Sequence, residues 1–417
     1  MRNSLFFIMV IFFFLPSISA QTIKISSEIR PRFENRHGVK TLIKSGEEGA
    51  NFISQRTRLN FDFIQDKLTL GISLQNIRVW GDVNTLAAND KANSFHQAWA
   101  NYQFSDNFSI KFGRQEIIYD DSRIFGNVGW AQQARSFDAV VAKIKTSKNG
   151  KLDIGYSLNN DSEQLTNSLY TNVAGYKTFQ YAWYHTNINN LGLSFLALNN
   201  GVEFLNSNTK EILNYSQTLG SRVTYKRGNL FFDGSIYFQT GKIFGNSVSA
   251  NYFGGNVKYK ASKKFVFGLG AEYLSGKDMD DTSAKVKSFN PVFGTNHKFN
   301  GYMDYFYVGN HVNSVGLLDI NATLGYSKDK FSTKVVPHFF SSTADIYNKG
   351  SKLSKNLGTE IDVVLGYKIA ENVMLNGGFS KMLGTESLGV LKNGDNDVNN
   401  SWTWLMITFK PTLFTTK

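Results

Sequence analysis

Hydrophobic residues recur at every second position through most of this chain, and that period limits the fold more than any other feature. In TIKISSEIRPRFE (22–34), Ile23, Ile25, Ile29 and Phe33 share one parity, and Lys24, Ser26, Glu28, Arg30, Arg32 and Glu34 share the other. Successive side chains of a strand point to opposite faces, so this run makes a strand with one apolar and one strongly charged face. FISQRTRLNFDF (52–63) repeats the pattern: Leu59, Phe61 and Phe63 lie on one face, and Ser54, Arg56, Arg58, Asn60 and Asp62 on the other.

The alternation continues to the end. Further strands are expected near 67–79, 95–104, 107–115, 136–146, 150–159, 176–187, 191–199, 212–226, 229–240, 248–260, 263–275, 315–327, 330–341, 357–368, 372–382 and 401–410. With the first two they make eighteen, an even number. Most reach about ten residues, the length a tilted strand needs to cross a bilayer. Short polar connections such as QDK (65–67), SDN (105–107), KRGN (226–229) and AEN (370–372) alternate with longer ones, among them 35–51, 80–94, 115–135, 160–175, 200–211, 241–247, 276–314 and 383–400. Short turns on one side and long loops on the other are the layout of an outer-membrane barrel. The expected fold is therefore all-β: a transmembrane antiparallel β-barrel of about 18 strands, with short periplasmic turns and long extracellular loops. A soluble sandwich is disfavoured because open sheets beyond roughly ten strands curl or split. A barrel of this size leaves a polar lumen. Two places strain the pattern. Pro31 and Pro337 fall inside strands, where proline cannot donate to the ladder, and the parity slips near Asn76–Ile77.

Composition agrees with this reading. The 417 residues include 35 Phe and 19 Tyr, too many aromatics for a disordered chain, and no Cys. The absence of Cys excludes disulfides, thiol nucleophiles and a lipidated N-terminus. The N-terminal MRNSLFFIMVIFFFLPSISA has one basic residue, a short apolar core and small residues before position 21, so residues 1–20 read as a cleaved signal peptide and 21–417 as one barrel domain. Losing Arg2 lowers the formal charge from +12 to +11. That positive balance belongs to a pore and to contacts with membrane lipid. An exported barrel is no nucleic-acid binder.

The inward parity supplies the candidate lumen. Arg30, Arg32, Arg56 and Arg58 cluster on two neighbouring strands, and Lys111, Lys143, Lys145, Arg222 and Lys258 add charge elsewhere. Guanidinium groups offer planar, paired donors to carboxylates, and a row of them lets an anion exchange partners as it moves. Acids on the same parity, including Glu28, Glu34, Asp153, Asp233, Glu272, Asp319, Glu360 and Asp362, offer these cations partners within the wall.

One stretch resists the strand pattern: GRQEIIYDDSRIFGNVGWAQQARSFDAV (113–140). It closely resembles the signature of the alginate-export family of outer-membrane barrels, in Gly113, Arg114, Gln115, Arg123, Gly126, Trp130, Gln133, Arg135, Phe137 and Asp138. FNPVFGTNHKFNGYMDYFYVG (289–309), followed by VGLLDI (315–320), resembles the family's late long loop entering a strand. The resemblance implies an eighteen-strand barrel whose positive pore passes an anionic polysaccharide or oligosaccharide, with periplasmic export machinery as a partner, no cofactor and no metal. It departs from the alginate exporter in its short late periplasmic turn, AEN. On this reading 113–140 holds the third long loop. Arg114, Arg123 and Arg135 are mouth or constriction residues, with Asp120, Asp121 and Asp138 as their ion-pair partners.

Two other classes stay open. One is an outer-membrane enzyme, although there is no G-x-S-x-G or H-E-x-x-H element, and only His297 and His311 share a loop, with Asp304 between them. The other is an adhesin-type barrel whose 276–314 loop is the binding surface. The aromatics Phe289, Phe293, Phe299, Tyr302, Tyr305, Phe306 and Tyr307 serve either purpose, stacking on sugar rings outside or folding inward to narrow the pore.

Overall fold

A computed structural model describes residues 21–87, 92–170, 175–208 and 210–416. The expected signal peptide, residues 1–20, lies outside the described residues. The chain forms a closed antiparallel barrel of 18 strands. In chain order they are β1 (Thr22–His37), β2 (Ala50–Gln65), β3 (Leu68–Val79), β4 (Asn93–Ser105), β5 (Phe108–Gln115), β6 (Phe137–Lys145), β7 (Gly150–Leu158), β8 (Thr178–Ile188) and β9 (Leu191–Leu205). The second half continues with β10 (Glu211–Arg227), β11 (Leu230–Ile243), β12 (Ala250–Lys260), β13 (Phe265–Leu274), β14 (Leu317–Lys328), β15 (Phe331–Ser341), β16 (Asn356–Ala370) and β17 (Val373–Gly384). The last strand, β18, runs over Asn400–Phe409 and resumes at Thr412–Thr415. Each strand pairs with its neighbours in sequence, and β1 closes the ring on β18, with Phe33 opposite Leu405 and Lys24 opposite Thr415.

Residues on one parity are buried inside and those on the other are exposed outside. On β1, Glu28, Arg30, Arg32 and Glu34 are buried while Ile29 and Phe33 are exposed. The outward face carries exposed apolar side chains all round the barrel, among them Phe195, Leu269, Ile320, Leu324 and Leu405. Such a belt is stable only where hydrocarbon covers it.

The short turns are hairpins. Asp66, Asn189 and Asp329 take φ of 50°, 53° and 52°. Positive φ is what a two-residue hairpin turn needs to match the strand twist. The expected long connections at 200–211 and 241–247 are shorter than their sequence implies. β9 and β10 extend as a hairpin with Leu205 opposite Glu211, and the Asn206 amide donates to the Lys210 carbonyl at 3.0 Å. β11 runs to Ile243, and its end pairs with Asn246–Ser247.

The prolines leave a visible mark. Pro31 stays in register with Gln55 of β2, but the ladder to β18 skips from Ile29 to Arg32. Pro337 pairs with Ile361 of β16, and the ladder to β14 skips the positions opposite Ala322 and Thr323. The missing N–H thus costs each strand part of one ladder and spares the other. The parity slip lies near His96: the register of β3 on β4 shifts between Ser73 and Leu74. The sequence placed it at Asn76–Ile77. The extra residue sits on the partner strand, which alternation within β3 does not reveal.

If the outward belt meets hydrocarbon, Leu269→Arg, on the outer face of β13, will lower stability by about 2–4 kcal/mol, the cost of a cation near the bilayer midplane. Urea unfolding in lipid vesicles measures it, and a cost below about 1 kcal/mol would place Leu269 outside the hydrocarbon layer.

Candidate functional site

The barrel is too wide for its wall side chains to meet across the centre, and two of its long loops fold into the lumen. The first, 116–136, leaves β5 and returns to β6. The second, 275–316, joins β13 to β14. Both family-like stretches contribute to them, and they pack on each other. Phe125 and Phe293 form an isolated parallel bridge, with ring centroids 5.3 Å apart. The Gly126 amide donates to the Phe293 carbonyl at 2.9 Å, and the Thr295 amide to the Ser122 carbonyl at 2.9 Å. The Val128 amide donates to Thr295 Oγ1 at 3.0 Å. A Cβ at position 126 would overlap the Thr295 side chain, so the approach needs Gly126. Around this contact Phe137, Phe179, Tyr181, Phe289, Phe306 and Tyr307 form an apolar core inside the barrel. The loop aromatics Phe289, Phe293, Tyr305, Phe306 and Tyr307 are buried, which decides between the two uses the sequence left open: this loop fills the pore.

Each wall holds the first loop by a different chemistry. Arg30 donates to the carbonyls of Gly129, Trp130 and Ala131 and to Gln132 Oε1. Arg32 donates to the Trp130 carbonyl at 2.7 Å and pairs with Glu34 at 2.9 Å. Arg56 stands opposite Arg30 in register, a repulsive placement that its pair with Glu28 at 2.5 Å relieves. Arg58 donates to Gln75 at 3.0 Å, and its Nη2 has no partner among the described residues. The arginine cluster therefore exists where the sequence put it, but Arg30 and Arg32 bind the loop backbone. Their exposure to the open lumen is small.

At its other end the loop grips β7–β10. Tyr119 donates to Asp153 at 2.8 Å, Asp120 accepts from Trp183 Nε1 at 3.0 Å and Ser194 Oγ at 2.6 Å, and Asp121 pairs with Arg222 at 2.5 Å. Arg222 also pairs with Asp233 at 2.8 Å. Arg123 is fully buried and pairs with Glu272 of β13, which also accepts from Tyr252 at 2.9 Å and Asn300 at 2.7 Å. Burial opposes the Arg123 charge, but Glu272 and Tyr252 outweigh it and raise the pKa. Arg135 donates to the Gly294 carbonyl at 3.1 Å, and burial lowers it to about 10.

The expected ion pairs of this loop are thus partly corrected. Arg114 pairs with Asp138 at 2.6 Å as anticipated, but both side chains are exposed on the outward parity of β5 and β6, beside Phe112 and Val140. They lie outside the lumen. Asp121 serves Arg222 and not a loop arginine, and Arg123 finds its acid 149 residues away. The loop itself lies within the barrel and is no surface feature. Lys143 pairs with Asp153 at 3.0 Å, Lys145 lines a cavity of about 530 Å³ near the short turns, and Lys111 lies 3.8 Å from the Trp99 ring. His297 and Asp304 are bonded at 2.6 Å, whereas His311 turns away to the Gly316 carbonyl and Lys392.

A second cavity, of about 570 Å³, adjoins the first at Asp120 and His185. Its acids are engaged: Asp233 and Asp121 with Arg222, Glu272 with Arg123, Asp319 with His338 at 2.9 Å, and Asp120 with the neutral donors Trp183 and Ser194. Three of its lysines, Lys258, Lys298 and Lys334, have no carboxylate ion-pair partner among the described residues. Lys298 donates to the Asp121 carbonyl at 2.8 Å, and burial lowers its pKa. Lys334 donates to the Tyr302 hydroxyl at 2.5 Å. Lys334 shares the inward parity of Val336 and His338, so alternation could have found it. Lys298 lies within the family-like stretch 289–309, but no periodicity there marks which of its residues faces the lumen.

The alginate-export family model matches residues 22–382, most of the barrel. The chain belongs to the alginate-export family. Comparison with curated proteins gives no match. Among solved structures, Acinetobacter baumannii OccAB4 is similar at TM-score 0.64 and 12% identity, over 95% of this chain and 100% of that one. Pseudomonas aeruginosa OccK9 (OpdG) is similar at TM-score 0.63 and 12% identity, over 94% and 98%. Pseudomonas aeruginosa OpdK with vanillate is similar at TM-score 0.60 and 12% identity, over 94% and 98%. These likenesses place this alginate-export barrel in the fold of outer-membrane porins.

Two outcomes follow for the inner loops. Arg123→Ala strands Glu272 in the interior and will cost about 3–5 kcal/mol, whereas Arg114→Ala, at an exposed pair, will cost at most about 1 kcal/mol. Parallel thermal unfolding scans read the contrast, and equal costs would contradict the interlock. Lys392, on the short helix α1 (Glu386–Lys392), is lowered by burial from 10.5 to about 7. A folded pKa below the unfolded one means that unfolding takes up a proton between those values, so stability will rise with pH from about 7 to 10.5. Lys392→Met will flatten that slope in unfolding measured across the interval.

Proposed function

We propose that this barrel is a non-enzymatic diffusion channel that passes anionic saccharides across the outer membrane. The observation that carries the reading is the charge balance of the 570 Å³ cavity, where the acids are committed to protein donors and Lys258, Lys298 and Lys334 are left without carboxylates. Formal counts of acids and bases on the wall are nearly equal, so preference for anions rests on which charges are free. Ammonium groups on flexible stems give several moderate contacts. A channel needs such contacts because a solute must leave as readily as it enters. Membership of the alginate-export family supports a polyuronate or related acidic saccharide as the cargo, and residues 1–20 fit export by a cleaved signal peptide.

Within this reading the arginine cluster has a supporting role. Arg30 and Arg32 fix the loop that narrows the pore, Arg58, Lys111 and Lys145 add positive lining, and Lys143 is spent on Asp153. Arg222 holds both Asp121 and Asp233 and offsets one of their two negative charges. Single channels in planar bilayers under a potassium chloride gradient test the reading. The expected reversal potential is that of an anion-preferring pore. The double variant Lys258→Glu/Lys334→Glu should invert its sign, and cation preference in the unmodified protein would refute the proposal.

A further inference from the structure

A third cavity, of about 550 Å³, opens beside the charged one. That volume falls within the roughly 300–1,000 Å³ typical of small-molecule sites. On the barrel side its lining includes Val364 of β16, Asn376 of β17, and Trp404 and Met406 of β18. On the lumen side it is closed by a row of flat groups. Arg32 Cζ lies 4.0 Å from the Trp130 ring centre. Trp130 stacks on His297 at 4.8 Å with an interplanar angle of 19°. His297 stacks on Tyr302 at 5.6 Å and 30°. Lys334 lies 5.1 Å from the Tyr302 ring centre. Because Arg32 belongs to β1 and Lys334 to β15, the row cuts across the lumen as a chord and encloses the arc formed by β16, β17 and β18.

The chamber is built around an aromatic wall. Trp404 lies against the backbone of β17, where a Cβ at position 378 would overlap its indole, so the ring lies flat only because Gly378 is there. Trp130 meets Trp404 at 4.8 Å and 69°. Away from Lys298 and Tyr302 the polar groups are Asn376, Ser122, Asn127, Thr295 and His297, of which Asn127 donates to Glu116 at 2.9 Å and His297 is bonded to Asp304. The chamber and the charged cavity share Lys298 and Tyr302, so their common opening has an ammonium group beside a phenol.

We propose that this chamber is a stacking subsite for one pyranose ring of a uronate chain, with the ring's carboxylate at Lys298. It rests on the anionic-saccharide reading and names how that cargo is held. The C–H face of a pyranose packs on an indole, its hydroxyls suit isolated amides, and its carboxylate needs a cation at the opening. The chord gives the pore two lanes: a charged one that carries Lys258 and Lys334, and a side pocket walled by indoles that detains a ring.

Blocking of single-channel current tests this on the whole protein, with a uronate tetrasaccharide as the ring probe and citrate as an anion without a ring. Val364→Trp fills the chamber from the wall and leaves the charged cavity alone. The expected result is that tetrasaccharide blocks shorten about fivefold to tenfold, the weight of a lost stacking contact, while citrate blocks and the reversal potential are unchanged. Unaltered tetrasaccharide blocks would overturn the subsite, and so would a variant that shortens blocks by benzoate but not by the sugar. If Val364→Trp fails to fold, tryptophan fluorescence of the unmodified protein decides. A saturable change with the tetrasaccharide and none with citrate supports the subsite, and identical responses overturn it. Cation preference in the unmodified pore would instead sink the anionic reading, and that failure is read separately from the length of the blocks.

Discussion

Every backbone amide that faces hydrocarbon must find its partner within the protein, and the structure follows from that demand. An unpaired peptide group in lipid costs several kcal/mol, so a spanning sheet has to close. Here closure is made by β1 on β18, with Phe33 opposite Leu405. Closing 18 strands fixes a circumference, and the circumference leaves a lumen that wall side chains do not fill. What occupies the lumen then has to come from the connections. Two long loops turn inward, and their contact through Phe125 and Phe293 is the centre around which the pore is narrowed.

The loop at 116–136 fits between two unlike walls. Toward β1 and β2 it presents backbone carbonyls, which accept from Arg30 and Arg32. Toward β13 it presents the guanidinium of Arg123, which takes Glu272. Donors meet acceptors on both sides, so the lumen holds many charges with little net imbalance. The consequence for transport is that a tally of charged residues is a poor guide to selectivity. The charges that a solute meets are those left after the loops have been fixed, and these include Lys258, Lys298 and Lys334.

Strand positions were legible because one face of each strand is apolar and the other polar, and a slip of one residue would reverse every side chain. The hairpin turns were legible for a similar local reason, the need for positive φ at residues such as Asp66 and Asn189. The inward loop was legible only as an anomaly. The stretch 113–140 has no period, and its charge density fitted a surface entrance equally well. Arg114 and Asp138 show the limit of such reading: their charge suggested the pore, yet parity on β5 and β6 turns them outward. Arg123 shows another limit. Its partner Glu272 is far along the chain, and no local rule pairs them.

By itself the sequence determined the barrel, its number of strands, the alternation of short and long connections and the family, because each is set by local periodicity or by motif order. The tertiary structure decided which charges are free. Arg30 and Arg32 are spent on loop carbonyls, Arg222 on Asp121 and Asp233, and Lys298 and Tyr302 come to stand between two cavities. Most of these outcomes depend on contacts between segments about a hundred residues apart, such as Arg32 with Trp130 and Arg222 with Asp121, and alternation within one strand carries no information about what crosses the lumen to meet it.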